Sequence, residues 1–314
     1  MLRDRVKKTI RLSQADYINK MSRFIDAKQR RRQRRTPMTS TELMPFEGKT
    51  PFPQITDYQR KTGTILYAAV ITRPDVAFAC SRLTRFNLNP GPQHQEAANR
   101  VIEYLLDTAT FALKLGGEDG MATWSDASFA DNTLDRRSSQ GYVMKLFGGT
   151  IGWRANKQDT VTTSTTEAEL LALAQATKEA LFADRLVKEI GVELEDKAVQ
   201  LWCDNTQTIG LVTKEVAILR TKLRHVDIHN HWLREVVERG QIRVNYTPTK
   251  QMVADGLTKA LSDVDFLRFR DQIGVVDVTE ALNARNESMR ILRDEDLEAL
   301  EDEFPGGEAE IVSK

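Results

Sequence analysis

Four acidic side chains lie where predicted strands end or predicted helices begin. They are Asp126 in a first strand, Glu169 in the first turns of a long helix, Asp204 at the end of a fourth strand and Asp255 at the start of a closing helix. Ligands collect at strand ends in open α/β sheets, and carboxylates gathered there repel one another unless cations neutralise them. Hard cations such as Mg²⁺ prefer oxygen ligands, and two of them can hold both oxygens of a phosphodiester displacement. The four acids therefore predict a divalent-metal site.

The alternative for any one of these acids is a helix cap, because an acidic residue at a helix start more often caps than binds a ligand. Glu167 is interpreted as such a cap, since Ser164 lies three residues before it and completes a capping box. Glu169 instead begins the sequence ELLA, which puts the small Ala172 on the same helix face as the carboxylate. A small residue there lets the helix approach a sheet closely.

The elements that must position these acids follow from the hydrophobic pattern. ATWSDAS, GYVMKLF and TIGWRA predict three antiparallel strands, and a long helix follows from about Ser164 to Ile190. After it come a strand in VQLWCDN, a helix ending at Gly240, a strand in QIRVNYTP and a closing helix in KQMVADGLTKAL. The order βββ-α-β-α-β-α predicts an α/β fold with a mixed sheet covered by helices.

The chain also divides by composition and charge. The segments are a basic head at 1–36, a proline-containing linker at 37–56, a helical segment at 57–118, the α/β domain at 119–274 and an acidic, flexible tail at 275–314. The formal net charge is zero, but residues 1–36 carry a net charge of +10 and residues 271–314 carry −9. The overall balance therefore does not exclude a nucleic-acid partner.

Other sequence features predict a soluble protein in a reducing compartment. Cys80 and Cys203 form no disulfide framework. The longest apolar run, 65–71, is far shorter than the ~20 residues that cross a bilayer. The charged N-terminus lacks the apolar stretch of a signal peptide, so we expect no membrane partner.

The motifs around the four acids resemble a known family. WSDASFADNTLDRRSSQGYV, GWRANKQDTVTTSTTEAELLAL, WCDNTQTIGL, RTKLRHVDIHNHWLRE and YTPTKQMVADGLTKAL resemble, in order and spacing, the ribonuclease H region of copia-type LTR retrotransposon polyproteins. Upstream, DYQRKTGTILYAAVITRPDVAFACSRLTRF resembles the segment that joins reverse transcriptase to ribonuclease H. RDRVKKTIRLSQADYI and TPM resemble the end of the reverse transcriptase itself, so that 1–36 is interpreted as its C-terminal remnant.

The resemblance implies a ribonuclease H-like fold, with a five-stranded mixed sheet of three antiparallel and two further parallel strands, preceded here by the small helical segment. It implies an endonuclease that cleaves the RNA strand of an RNA/DNA hybrid with two Mg²⁺ ions, or Mn²⁺ in their place. The family's four catalytic and metal-binding acids fall on Asp126, Glu169, Asp204 and Asp255. The alternatives are a non-catalytic nucleic-acid-binding remnant of the same polyprotein and a folded relic without a ligand.

Contact with a hybrid needs groups that bind phosphates and 2′-hydroxyls. The candidates are Ser128, Lys157, Gln158, Asn205, Arg220, Lys222, Thr247 and Lys250. Asn205 has capping of the next helix as its alternative, and Arg220 and Lys222 have a solvated helix start. The basic run at 30–35 is interpreted as a nucleic-acid contact, a nuclear import signal or a solvated linker.

Some features depart from the family or remain outside it. The polymerase signature Tyr-x-Asp-Asp is absent, so we expect no DNA synthesis by the chain and expect a reverse transcriptase or other polyprotein products as partners. Segment 240–255 lacks the histidine that several ribonucleases H place there, and Phe129 stands where the family commonly has Trp. His225 and His229 share one helix face while His231 points elsewhere, which favours packing over zinc binding. Elements of this type replicate in cytoplasmic particles, which is the expected location, with the nucleus as the alternative.

Overall fold

The computed structural model describes residues 1–26, 33–118, 120–214, 223–285 and 287. The chain divides into two units, 1–276 and 277–314. In the second unit, a helix begins at 279, where Asp277 Oδ1 accepts hydrogen bonds from the backbone N–H and the hydroxyl of Thr279. Most of the predicted acidic tail, and residues 30–32 of the basic run, lie outside the described residues.

The described residues contain both β-strands and α-helices. The strands found in the described residues are β1 (Leu2–Asp4), β2 (Thr9–Ser13), β3 (Phe111–Leu115), β4 (Met121–Ser128), β5 (Ser139–Leu146), β6 (Gly149–Lys157), β7 (Val199–Cys203), β8 (Ile242–Tyr246) and β9 (Val275–Asp277). The α-helices are α1 (Ala15–Asn19), α2 (Phe52–Ile71), α3 (Ala77–Leu83), α4 (Pro92–Asp107), α5 (Thr165–Glu189), α6 (Thr206–Thr213), α7 (Arg224–Glu238) and α8 (Asp263–Gln272). Short 3₁₀ helices cover Lys20–Phe24, Pro74–Val76, Thr84–Phe86, Thr249–Gln251 and Val253–Leu257.

The larger sheet has five strands in the order β6-β5-β4-β7-β8. β4, β5 and β6 pair antiparallel, whereas β7 pairs parallel with β4 and β8 pairs parallel with β7. This arrangement confirms the predicted α/β fold with its five-stranded mixed sheet. β4 is the central strand, so a side chain on it meets both halves of the sheet and the helix that covers it.

Helix α5 covers the sheet, and its first turn confirms part of the predicted capping box. Ser164 Oγ accepts the N–H of Glu167, as predicted. The Glu167 carboxylate, however, accepts from the N–H and the hydroxyl of Thr163. Glu167 is thus held at the helix start, while Glu169, two residues later, points to a different side of the helix.

Small residues let α5 approach β4 closely. Ala168 and Ala172 on α5 form a buried cluster with Ala127 on β4. Ala172 has the role expected from the ELLA pattern. The short distance between helix and strand brings the Glu169 carboxylate to the backbone of β4.

A second sheet differs from the sequence-based expectation for the upstream segments. Its order is β1-β2-β3-β9, and β3 lies inside the segment 57–118 that was predicted to be helical. The β3 residues pair antiparallel with β2, for example Leu12 opposite Leu113. The pairing joins the N-terminal head to residues more than 90 positions later, a nonlocal contact that local periodicity cannot predict. Helix α2 also begins at Phe52, inside the predicted linker, because Pro51 and Pro53 suit a helix start.

The single closing helix that was predicted for KQMVADGLTKAL is not present as an α-helix. The structure has two 3₁₀ helices there, Thr249–Gln251 and Val253–Leu257, and the α-helix α8 follows only at Asp263. Gly141 on β5 explains how this segment can pack against the sheet. A Cβ at Gly141 would lie 2.7 Å from Leu257 Cβ and 3.0 Å from the Arg154 carbonyl oxygen, so only glycine leaves room for the segment.

The two sheets and the upstream helices share a hydrophobic core. One buried cluster includes Ile18 and Tyr104 from the upstream segments together with Val143 of β5 and Leu257. A second cluster packs α5 and α7 against the other part of the five-stranded sheet. Among the described residues, no helix combines the length and hydropathy needed to cross a membrane.

Replacement of Gly141 by alanine tests the close packing of Val253–Leu257 on β5. We expect Gly141→Ala to lower the free energy of unfolding by about 1–3 kcal/mol, since the added methyl must displace Leu257 or the strand. The measurement is urea denaturation followed by circular dichroism.

Gly152 on β6 is the matched control, because a Cβ there comes no closer than 3.4 Å to any neighbour, the nearest being the flexible end of the Met144 side chain. Gly152→Ala should leave stability unchanged or raise it slightly. Equal effects of the two substitutions would contradict the packing constraint.

Candidate functional site

Asp126 lies on the central strand β4 and is 4% exposed. Its register partner on β5 is Gly141, the residue that leaves room for Val253–Leu257. The hydroxyl of Thr258, directly after that 3₁₀ helix, donates a short hydrogen bond to Asp126 Oδ2. The carboxyl group of Asp126 is therefore enclosed by β4, β5 and the segment that carries Asp255.

Glu169 reaches the same place from α5 and is 3% exposed. Its Oε1 accepts the N–H of Ala127 at 3.2 Å, one residue after Asp126. Its Oε2 is buried and has no hydrogen-bond partner among the described residues. A buried carboxylate oxygen without a partner is costly, so this atom is available for a ligand that brings positive charge.

Asp204 follows the last residue of β7. Its Oδ2 accepts a hydrogen bond from the hydroxyl of Thr249 at 2.8 Å. Ligand atoms of Glu169, Cys203 and Asp204 lie within 4.8 Å of one another. Burial raises the pKa of the Cys203 thiol, with the charge of Glu169 as the next cause, so the sulfur stays protonated and the oxygens are the available ligands.

Asp255 completes the group from the 3₁₀ helix Val253–Leu257. Lys259 Nζ lies 2.8 Å from Asp255 Oδ1, and the charge of Asp255 acts directly on the carboxyl group of Asp126. The structure thus brings together all four acids that the sequence singled out. We call Asp126, Glu169, Asp204 and Asp255 the acidic cluster.

Burial and mutual repulsion perturb the ionisation of the acidic cluster. Burial, followed by the charge of Asp255, raises the pKa of Asp126 to about 7. Burial and the charges of Asp126 and Asp204 raise the pKa of Glu169 well above its usual range. Burial also raises the pKa of Asp255, although Lys259 opposes this change. The cluster holds less negative charge than four ordinary carboxylates, and it would gain charge on binding cations.

Lys259 is a cation in direct contact with the acids. Burial disfavours its charge, but the hydrogen bond to Asp255 and the charges of Asp126, Asp255 and Asp204 raise its pKa above the ordinary value. Lys259 therefore remains charged and offsets part of the cluster's negative charge.

Three of the supporting residues were missed by the sequence analysis. Thr258 bonds to Asp126, Lys259 pairs with Asp255 and Thr249 bonds to Asp204. The signal for Lys259 was its position four residues after Asp255, which places the two side chains on one face of a helical turn. The contacts of Thr249 and Thr258 join residues more than 40 positions apart and have no local signal.

The predicted nucleic-acid contacts fall into three groups. Ser128 and Lys157 line a cavity beside the acidic cluster, and Lys250 is exposed. Arg220 and Lys222 lie outside the described residues. The other three candidates, Gln158, Thr247 and Asn205, have structural roles.

Each of those three residues already makes a hydrogen bond within the protein, and two of them are buried. Gln158 is 3% exposed, and its amide donates to Gln140 and to the Ala168 carbonyl oxygen. Thr247 is 5% exposed, and its backbone N–H is bound to the Cys203 carbonyl oxygen. The side chain of Asn205 caps α6 by accepting the N–H of Thr208, which was the alternative interpretation.

The histidines lie as their spacing predicted. His225 and His229 line one cavity beside α5, and His225 Nε2 lies 3.1 Å from the Thr160 hydroxyl. His231 points elsewhere, with Nε2 3.6 Å from Asp227. The metal-ligand group found among the described residues contains no histidine.

The raised pKa of Asp126 predicts a pH-dependent gain in stability from Asp126→Asn in chelator. The folded-state pKa of about 7 exceeds the ordinary value, so stability from this group is full at low pH and is lost as pH rises toward 7. Asparagine keeps an oxygen that can accept the hydrogen bond from Thr258, and it carries no charge. The Tm of the variant should therefore be roughly several degrees above that of wild type at pH 8. The gain should be smaller at pH 5.

The groups that face Asp126 are Asp255, Asp204, Glu169 and Lys259, and all remain in the variant. Asp265→Asn on the surface of α8 is the control and should produce no gain at either pH. A gain that is equal at pH 5 and pH 8 would contradict the assignment of the shift to Asp126. Thermal melts in EDTA supply the measurement.

The sequence of this chain is similar to those of several known proteins. No family model matches the chain. The retrovirus-related Pol polyprotein of transposon TNT 1-94 from Nicotiana tabacum is 32% identical over 283 residues, which cover 88% of this chain and 21% of the polyprotein. That of transposon RE2 from Arabidopsis thaliana is 34% identical over 245 residues, which cover 77% of this chain and 17% of the polyprotein. The chain spans about a fifth of the length of these polyproteins.

Further similarities cover smaller proteins and solved structures. Secreted RxLR effector protein 161 from Plasmopara viticola is 42% identical over 127 residues, which cover 40% of this chain and 89% of that protein. RNase H1 from Halobacterium salinarum matches 44% of this chain and 93% of its own, with 15% identity and a TM-score of 0.31. The foamy viral protease–reverse transcriptase, solved with an RNA/DNA hybrid, matches 79% of this chain and 28% of its own, with 12% identity and a TM-score of 0.38.

The mixture of parallel and antiparallel strand pairs is the one that the resemblance implied for the five-stranded sheet. The sequence matches extend over most of the chain and run to retrotransposon polyproteins. The chain therefore belongs to the retrovirus-related Pol polyproteins of retrotransposons, and its five-stranded sheet has the ribonuclease H fold.

Proposed function

We propose that this chain is the ribonuclease H of a copia-type Pol polyprotein, an endonuclease that cleaves the RNA strand of an RNA/DNA hybrid. The observation that carries the proposal is the convergence of four carboxylates around one point. One of their oxygens, Glu169 Oε2, is buried and has no hydrogen-bond partner among the described residues. Natural proteins rarely leave such an atom without a ligand.

The donor set fits hard divalent cations. Asp126, Glu169, Asp204 and Asp255 offer oxygen ligands, which suit Mg²⁺, with Mn²⁺ as the substitute, and the neutral thiol of Cys203 offers none. Two ions bound there would acidify a water molecule and offset charge on the phosphodiester.

The chain's own groups would orient the ligands. Thr258 donates to one oxygen of Asp126 and Thr249 to one oxygen of Asp204, and the other oxygen of each aspartate would be offered to a metal ion. Lys259 limits the repulsion between the cluster and a polyanionic strand. Ser128, two residues after Asp126, and Lys157 at the end of β6 line the cavity beside the cluster and are proposed as contacts to the backbone of a bound strand.

The family supports an RNA/DNA hybrid as the substrate, because these polyproteins come from elements that copy RNA into DNA. We further propose a reverse transcriptase or other products of the polyprotein as partners, and cytoplasmic particles as the location. The alternative function is a nucleic-acid-binding remnant without catalysis, in which the acidic cluster persists but does not turn over a hybrid.

Cleavage of a labelled hybrid distinguishes these functions. With Mg²⁺, wild type should cut only the RNA strand, and Asp204→Asn should lower the rate by at least about 100-fold, since metal ligands supply several kcal/mol to the transition state. The readout is the appearance of labelled RNA fragments on a denaturing gel.

Asp265→Asn is the matched control and should retain wild-type activity, because Asp265 lies on the surface of α8 and pairs with Arg268. Binding of the hybrid without cleavage by wild type would refute the enzymatic proposal and favour the alternative. Cleavage that persists in Asp204→Asn would refute the assignment of the site.

A further inference from the structure

A cavity of about 590 Å³ lies between the upstream segments and the five-stranded sheet, beside the acidic cluster. Its lining includes Ser128 and Lys259, which connect it to the cluster, and Arg82 and Arg85 from the upstream helices. It is large enough for part of a nucleic-acid strand, and none of the predicted nucleic-acid contacts comes from its upstream wall. We call it the arginine cavity.

The two arginines have different bonding. Arg82 pairs with Asp131 and donates to Asn132 Oδ1 at 2.7 Å, so it holds the loop that follows β4. Arg85 donates only to the same Asn132 oxygen and has no ion pair among the described residues. Arg82 also binds that oxygen and pairs with Asp131, so the loop keeps these contacts when Arg85 is replaced.

The position of Arg85 is electrostatically unfavourable without an anion. Burial and the neighbouring Arg82 lower its pKa to about 10, although Asp131, Asp135 and Glu42 act in the opposite sense. The guanidinium is still charged at neutral pH, but it has lost part of its hydration next to a like charge. A group in this state gains from an anionic ligand, and a planar guanidinium matches phosphate oxygens in geometry.

Other side chains of the arginine cavity are consistent with a phosphate ligand. The acids on its walls are already engaged: Asp131 by Arg82, Asp135 by Lys157 and Glu42 by the N–H and hydroxyl of Thr133. Glu42 keeps its charge, because neutral donors do not cancel it. Among the described residues, Arg85 is the cationic side chain of the cavity that has no carboxylate at ion-pair distance. A strand bound at the acidic cluster would pass Ser128 and Lys259 to reach it.

We propose that Arg85 binds a backbone phosphate of the nucleic-acid strand that leaves the acidic cluster, so that the upstream helices form part of the substrate surface. This inference deepens the proposed function and rests on it for the substrate class. The shared chemistry is a phosphate group, which a free nucleotide also carries, so the test includes both ligands.

The test measures hybrid binding without cleavage, in an Asp204→Asn background of the full chain with Mg²⁺. Fluorescence anisotropy of an end-labelled RNA/DNA hybrid gives the Kd at several KCl concentrations from roughly 50 to 200 mM. The slope of log Kd against log salt is taken from this series. Arg85→Gln should raise Kd roughly tenfold and reduce the slope of log Kd against log salt by about one, as expected for the loss of one phosphate contact. Arg85→Lys should keep the slope, because it keeps the charge.

Arg185→Gln, on the exposed face of α5 outside the cavity, is the matched control and should match the parent in both readouts. Arg85→Gln should not lower the melting temperature, since Arg82 still holds Asn132, so weaker binding would not reflect unfolding. A mononucleotide at millimolar concentration should not compete with the hybrid.

Four results would overturn the inference. They are an unchanged salt slope in Arg85→Gln, an equal change in Arg185→Gln, binding of the mononucleotide but not of the hybrid, and failure of the parent to bind any hybrid. If wild type binds the hybrid through Arg85 but does not cleave it, the enzymatic proposal fails while this inference stands.

Discussion

Electrostatic repulsion among buried carboxylates on and around the central strand is the constraint that organises this molecule. Asp126 and Glu169 are almost completely buried, and burial with mutual charge raises the pKa of both. Such a group costs folding free energy in the absence of cations, so the rest of the fold must offset it. The cap at Ser164, the alanine contacts between α5 and β4, and the gap left by Gly141 hold the acids together against this repulsion.

The upstream segments contribute to that offset, because they form one core with the ribonuclease H fold. Strand β3 pairs with β2 near the N-terminus, and the cluster that contains Tyr104 also contains Val143 of the five-stranded sheet. Arg73 is fully buried and is bound by Asp75 and by the carbonyl and hydroxyl oxygens of Thr108, while Tyr104 donates to the same Asp75. This satisfied network holds the upstream helices in a fixed arrangement relative to one another, as the proposed contact of Arg85 with a nucleic-acid strand would need.

The local sequence pattern predicted most of the five-stranded sheet and the helix that covers it, because apolar–polar alternation and helix capping depend on neighbouring residues. The local pattern failed where contacts between distant residues decide the conformation. Strand β3 depends on pairing with β2, and the 3₁₀ helix that carries Asp255 depends on the space beside Gly141. Gln158 and Thr247 were assigned to nucleic acid from residue type, yet both are buried inside the protein, and burial cannot be inferred from residue type.

The sequence by itself determined which acids could act together, since Asp126, Glu169, Asp204 and Asp255 were identified from their types and their places on predicted elements. Only the tertiary structure decided how they ionise, because pKa values depend on burial and on charges from other segments. It also decided which oxygens remain free, through hydrogen bonds from Thr258, Thr249 and Ala127. Arg85, which has no ion pair within the described part of the chain, reaches its position beside the site in the same way, because a helix about 40 residues upstream of Asp126 packs against the loop after β4.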